Sequence, residues 1–142
     1  MAWFPKQRVI VPIDFSEESF AALDVGLQVV ERANQVSIIH VLQDLTPLEA
    51  GEVWGVVDPA ARIESARRAL RERLTADKYS DIHLEVVLGD PAEAIGDYAQ
   101  KNGAELIVIP SHGRRGLTRL LMGSTAERVV RLAHCPVLVL RQ

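Results

Sequence analysis

Val9-Ile10-Val11-Pro12-Ile13 and Leu106-Ile107-Val108-Ile109 are apolar at every position. A strand without a polar face is one covered on both sides, as at the centre of a parallel sheet. Three further runs read as strands: Val36 to Val41, Ile82 to Leu88 with one polar face, and Pro136 to Leu140. Between them lie stretches with helical spacing. Ser16 caps one that carries Phe20, Leu23, Leu27 and Val30. Asp58-Pro59 opens a second, with Ile63, Ala66, Leu70 and Leu74 on one face and arginines on the other. Asp90-Pro91-Ala92-Glu93 opens a third that stops near Asn102-Gly103, with a cap residue, proline first and an acid third. Ser124-Thr125-Ala126-Glu127 reads as a capping box for a fourth, with Val129, Val130 and Ala133 inward. Strands alternating with helices are βαβ units, so the expectation is an α/β fold, a doubly wound three-layer sandwich. Residues 42–57, with Pro47, Gly51, Trp54 and Gly55, form a long connection of the kind used as a lid or left as a loose tip.

The chain of 142 residues matches the commonest size of one domain and has no internal repeat or linker, so residues 1–142 read as a single domain. Hydrophobic residues make up 48% and charged residues 25%, too apolar for a disordered chain. The net charge of −3 argues against nucleic acid as a partner. One cysteine, Cys135, excludes an internal disulfide and a cysteine metal cluster. No apolar run approaches the roughly 18 residues of a membrane span. The start, Met1 to Lys6, lacks the apolar core of a signal peptide. A cytoplasmic protein with no membrane partner is the expectation.

In an open parallel sheet, ligands sit beyond the carboxyl ends of the strands, where strand order reverses. Pro12-Ile13-Asp14 closes the first strand and Pro110-Ser111-His112-Gly113 the fourth. If those strands are neighbours at the reversal, both segments line one crevice. Asp14 can accept hydrogen bonds from a ribose hydroxyl, or it can cap the following helix with Ser16; the residues leave both open. The stretch from Gly113 to Ser124 holds three glycines, Arg114, Arg115 and Arg119, and then a helix start. Glycines admit a phosphate close to the backbone, and a helix N-terminus offers N–H groups and a positive dipole end. Ser124 and Thr125 add hydroxyls. Against an anion there, the Glu127 carboxylate competes for the same N–H groups.

Other motifs fail. No G-x-x-x-x-G-K-[ST] phosphate loop and no G-x-G-x-x-G fingerprint occurs. Ser111 lacks the upstream glycine of a nucleophile elbow. His40, His83, His112 and His134 lack metal-site spacing. Cys135 reads as a small buried hydrophobe.

Taken together, Val9 to Ser16, Ser111 to Leu117 with Met122-Gly123-Ser124, and Cys135 to Leu140 resemble the universal stress protein family, the UspA-like domain, over essentially the whole chain. ATP-binding members carry G-x2-G-x9-G-[ST]. Gly113, Gly123 and Ser124 match it, and Pro110 stands where the first glycine would be. The resemblance implies an adenine nucleotide alpha hydrolase-like fold with five parallel strands in the order 3-2-1-4-5. It implies ATP or AMP as ligand, with adenine near Val41, ribose near Asp14 beside Pro12 and Ile13, and phosphates on Gly113, Arg114, Gly123, Ser124 and Thr125. Mg2+ can accompany the phosphates. Pro110 and His112 border the same loop. It also implies a stress-response regulatory protein that forms a homodimer through the last strand. The competing expectation is a dimeric interaction module whose groove Pro110 impairs. A slow ATPase using Asp14 and His112 is a third, and no fast catalysis is expected.

Overall fold

A computed structural model describes residues 2–43, 58–112 and 122–141. Five parallel strands form one sheet in the order β3-β2-β1-β4-β5: β1 (Val9–Pro12), β2 (Val36–Leu42), β3 (His83–Leu88), β4 (Leu106–Pro110) and β5 (Val137–Leu140). Four helices cover it: α1 (Glu17–Gln28), α2 (Pro59–Arg73), α3 (Pro91–Lys101) and α4 (Ser124–Leu132). The apolar runs 9–13 and 106–109 lie in the central strands, and every residue of β1 and β4 is buried. The remaining strands have partly exposed positions, consistent with their places nearer the edges.

Because side chains alternate along a strand, each apolar run serves two cores. Val9, Val11, Ile13, Leu106 and Val108 pack with Phe20, Leu23 of α1 and Leu70 of α2. Ile10, Ile39, Ile107 and Ile109 pack with Ile95 of α3 and Val129 of α4. Chain travel from β1 to β3 thus places its helices on one face, and travel from β4 to β5 places α4 on the other. The reversal of winding falls between β1 and β4.

The expected start signals hold at three helices. The Ser16 side chain accepts from Ser19 N–H, that of Asp58 from Ala60 N–H, and that of Asp90 from Glu93 N–H. Gly103 follows α3 with φ of 64°, the left-handed stop that glycine allows without strain. The fourth signal is corrected. Gly123, not Ser124, is the cap residue of α4, and no side chain among the described residues caps that helix. Glu127 turns along the helix to Arg131 four residues on, so the expected reciprocal pair does not form. Val130 is also not inward; it is 45% exposed, because α4 turns Ala126 and Val129 to the sheet instead. Nearly all of the 42–57 connection, 44–57 with Trp54, lies outside the described residues.

Candidate functional site

The carboxyl ends of the two central strands do not stay together. β1 pairs with β4 only at Val9↔Leu106 and Ile10↔Ile107. Beyond that, β1 follows β2 to Pro12↔Ile39, and β4 follows β5 to Pro110↔Leu140. The two prolines supply the physical cause. In a strand, the backbone groups of alternate residues face opposite neighbours. Ile13 N–H donates to Ile39 O, so Ile13 faces β2 and Pro12 faces β4. Ser111 N–H donates to Leu140 O and Ile107 N–H to Pro136 O, so these residues face β5 and Pro110 faces β1. Proline has no N–H, and the two donors that would continue the β1–β4 ladder are therefore both missing. The strands part into a crevice at the point where strand order reverses.

One rim of the crevice is the turn after β1. Asp14 is half-buried there. Its Oδ1 accepts from Ser16 N–H at 3.0 Å and from the Ser16 hydroxyl. Ser16 Oγ in turn accepts from Ser19 N–H, and Ser19 Oγ donates to Ser16 O at 2.8 Å. Ser16 is the cap of α1, and Asp14 supports it by accepting from the cap residue rather than from a helix amide, which holds its carboxylate in the turn after β1. The next residue, Phe15, has φ of 67°. A left-handed aromatic residue costs about 1–2 kcal/mol and persists only where its surroundings hold it. Those surroundings are the Phe20 ring, 6.3 Å away between centroids, and the His40 ring at 4.8 Å, both edge-on. His40 Nδ1 lies 2.6 Å from Ile13 O, so this nitrogen carries the proton and donates it to the carbonyl.

The other rim is the junction of β4 with α4. Ser111 is buried, and its carbonyl accepts Gly123 N–H at 2.6 Å, pinning the start of α4 to the end of β4. Gly123 is buried, whereas Ser124 and Thr125 are exposed. The first intrahelical bond runs from Glu127 N–H to Gly123 O, so the amides of Ser124, Thr125 and Ala126 precede the ladder with no capping side chain. Since Glu127 is engaged by Arg131, the anticipated competitor for these amides is held elsewhere. Ser111 Oγ is 3.1 Å from His112 Nδ1, and among the described residues His112 Nε2 is buried with no hydrogen-bond partner. If the Ser111 hydroxyl donates to Nδ1, Nε2 carries a proton that an oxygen would complement; if Nδ1 donates, Nε2 is an acceptor.

Of the residues expected at the site, Pro12, Ile13 and Asp14 stand on one side of the strand reversal, and Pro110, His112, Gly123, Ser124 and Thr125 on the other. Val41 is half-buried near the end of β2, packed towards the α3 side. Gly113 and Arg114 lie outside the described residues, as do Arg115, Gly116 and Arg119. Gly123 differs from expectation in one respect: its amide is taken by Ser111 O, so it can offer space but not a donor. His40 was read only for metal spacing, yet it is the residue that ties β2 to the Asp14 turn. Its signal was a titratable side chain inside the strand run 36–41, whose other polar residue is Ser37.

Among the described residues, no three His, Cys, Asp or Glu side chains gather as metal ligands. None of the described helices is long and apolar enough to cross a membrane. An open groove of about 540 Å³ lies at the opposite, amino end of the sheet, between Arg8, Arg32, Ser37, His83 and Tyr98. There the Tyr98 hydroxyl is pushed above its ordinary pKa, mainly by burial. That groove has no part in the strand reversal.

Residues 6–141 match the model of the universal stress protein family. A universal stress protein of Methanocaldococcus jannaschii, MJ0531, is 33% identical over 141 residues, covering 96% of this chain and 82% of that protein. The structure of the universal stress protein UspA from Lactobacillus plantarum superposes with a TM-score of 0.71 at 25% identity, covering 96% of this chain and 98% of that one. A universal stress protein crystallised in complex with cAMP superposes with a TM-score of 0.63 at 26% identity, covering 96% and 98%.

Proposed function

This chain belongs to the universal stress protein family, and from that premise we propose that it binds an adenine nucleotide, ATP or AMP, in the β1–β4 crevice and acts as a regulatory protein. The observation that carries the reading is the pairing of two features across one gap. The β1–β4 ladder stops after Ile10–Ile107, and the α4 N-terminus beside the gap has no capping side chain while Glu127 is held by Arg131. A relative of the same fold was crystallised with cAMP, which shares the adenine and ribose but closes its phosphate as a 3′,5′-diester.

In this reading Asp14, whose Oδ1 accepts from Ser16, turns its other oxygen to the ribose hydroxyls, adenine lies near Val41, and Pro12, Ile13 and Pro110 form the walls. Ser124 and Thr125 supply amide and hydroxyl donors to the phosphates, with His112, Gly113 and Arg114 completing the loop. Phosphate at a helix N-terminus is stabilised by the dipole and the unpaired amides together, by about 0.3–1 kcal/mol per exposed charge and up to about 2 kcal/mol when partly buried. Asp14 is the only carboxylate in this assignment, so Mg2+ would arrive on the phosphates rather than in a protein cage. The protein works in the cytoplasm as a homodimer joined along β5, the edge strand.

A second reading, an interaction module without nucleotide, is favoured by the Gly123 amide being taken by Ser111 O and by the N–H missing at Pro110. Calorimetry separates the two. Nucleotide binding predicts micromolar affinity, about −8 kcal/mol, for ATP or AMP. No heat and no thermal shift at millimolar ligand would leave only the second reading.

A further inference from the structure

We infer that His40 is a positioning residue: by clamping the Ile13 carbonyl and bracing Phe15, it presets the Asp14 carboxylate for the ribose hydroxyls. This rests on the adenine-nucleotide reading above, and it adds a residue from β2 that contacts the turn rather than the ligand's sugar.

The geometry carries the inference in three links. His40 Nδ1 is 2.6 Å from Ile13 O, one residue before Asp14. The same imidazole meets the Phe15 ring edge-on at 4.8 Å and 82°, one residue after Asp14. Asp14 is therefore flanked on both sides by residues that one side chain holds. Between them, the left-handed φ of 67° at Phe15 turns the chain so that Asp14 Oδ1 reaches Ser16 N–H at 3.0 Å. A backbone strained in this way relaxes unless packing over-determines it. Phe20 supplies part of that packing, and its outer face is covered by the Arg73 guanidinium at 4.1 Å. His40 supplies the rest and adds a side-chain hydrogen bond from β2 to the Ile13 carbonyl, beside the backbone bond from Ile13 N–H to Ile39 O. A carboxylate already held in place loses little freedom when a diol binds it, so affinity gained at the sugar depends on the clamp.

The test compares wild type, His40→Phe and His40→Asn by calorimetry with AMP and with its 2′,3′-dideoxy analogue, alongside thermal unfolding. The ratio of the two affinities reads the sugar contact and is insensitive to a uniform loss of stability. Wild type is expected to prefer AMP about tenfold, the worth of one charge-assisted hydrogen bond. His40→Phe keeps a ring against Phe15 but has no donor; its preference should collapse towards one while dideoxy-AMP affinity holds. His40→Asn places an amide donor near the Nδ1 position and should recover part of the preference. If His40→Phe does not fold, Phe15→Ala, which keeps a Cβ strained at positive φ but removes the ring that His40 braces, should lose the preference in its place. A folded His40→Phe or Phe15→Ala protein with the full wild-type preference would overturn the inference alone. Wild-type binding of AMP without any preference would overturn it together with the ribose role of Asp14. Absence of AMP binding would overturn the nucleotide reading itself.

Discussion

Arg128, in the second turn of α4, places Nη1 2.9 Å from both carboxylate oxygens of Asp90, the residue that caps α3. One acidic side chain thus serves the α3 N-terminus and anchors the neighbouring helix. The two helix starts on this face are treated in opposite ways: α3 has its anion built in, and α4 has none. Arg128, followed by the Glu93 N–H, holds the Asp90 carboxyl below the usual carboxylate range. A group depressed in the folded state adds stability above its unfolded pKa, and that stability is lost as pH falls through the folded value. Asp90→Asn keeps a competent cap but removes the charge. Urea unfolding should find the variant less stable than wild type at pH 7, with the gap closing at acid pH below the ordinary carboxylate range. An equal gap at both pH values would mean that the charge is not responsible.

Ser124→Asp separates what helix α4 favours from what a phosphate tolerates. An acid in the first turn suits the dipole, by about 0.3–1 kcal/mol. The same charge sits where the phosphates are proposed to lie. The melting temperature should therefore hold or rise, while AMP affinity falls tenfold or more. Unchanged affinity would place the phosphates elsewhere.

Much of this arrangement was legible in the chain. Continuous apolar runs marked β1 and β4 as central, because a doubly covered strand can be apolar at each position; Val137–Leu140 is equally apolar but forms the part-exposed edge strand β5, so that signal alone does not place a strand. Ser16, Asp58 and Asp90 marked three helix starts, because a short acceptor beside an acid or proline has little other use there. The fourth start misled for a physical reason: Arg131, one turn beyond Glu127, draws the carboxylate away from the amides it was expected to cap. Pro110 was visible as a departure from the family pattern. Its consequence was not, because whether a missing N–H breaks β1–β4 or β4–β5 depends on strand register, which local sequence does not specify. His40 escaped for a similar reason: a contact to Ile13, 27 residues away, follows from β1 and β2 being neighbours.

Gly26 predicts a stability effect opposite to propensity. Alanine in a helix interior is normally better than glycine by about 1 kcal/mol. Here a Cβ would stand 2.9 Å from Val11 Cγ2, a fully buried side chain of β1 with no room to retreat. Overpacking of this kind costs about 1–3 kcal/mol. Gly26→Ala should unfold at lower urea than wild type, and Gly26→Val lower still. A stabilised Gly26→Ala protein would show that α1 can move off the sheet there.

Cys135 should be a slow thiol. It is partly buried against the α3–α4 core, and burial pushes its pKa up, leaving less thiolate at neutral pH. Iodoacetamide at pH 7 should label the folded protein more slowly than the urea-unfolded chain. Equal rates would mean that Cys135 is as accessible folded as unfolded.

The most direct measurement is an amide NMR titration of the whole chain with AMP. Binding in the β1–β4 crevice predicts saturating shifts at Asp14, Phe15, Ser124 and Thr125, with Arg8, Ser37 and His83 at the amino end unmoved. Shifts confined to the amino end, or none at millimolar AMP, would contradict it.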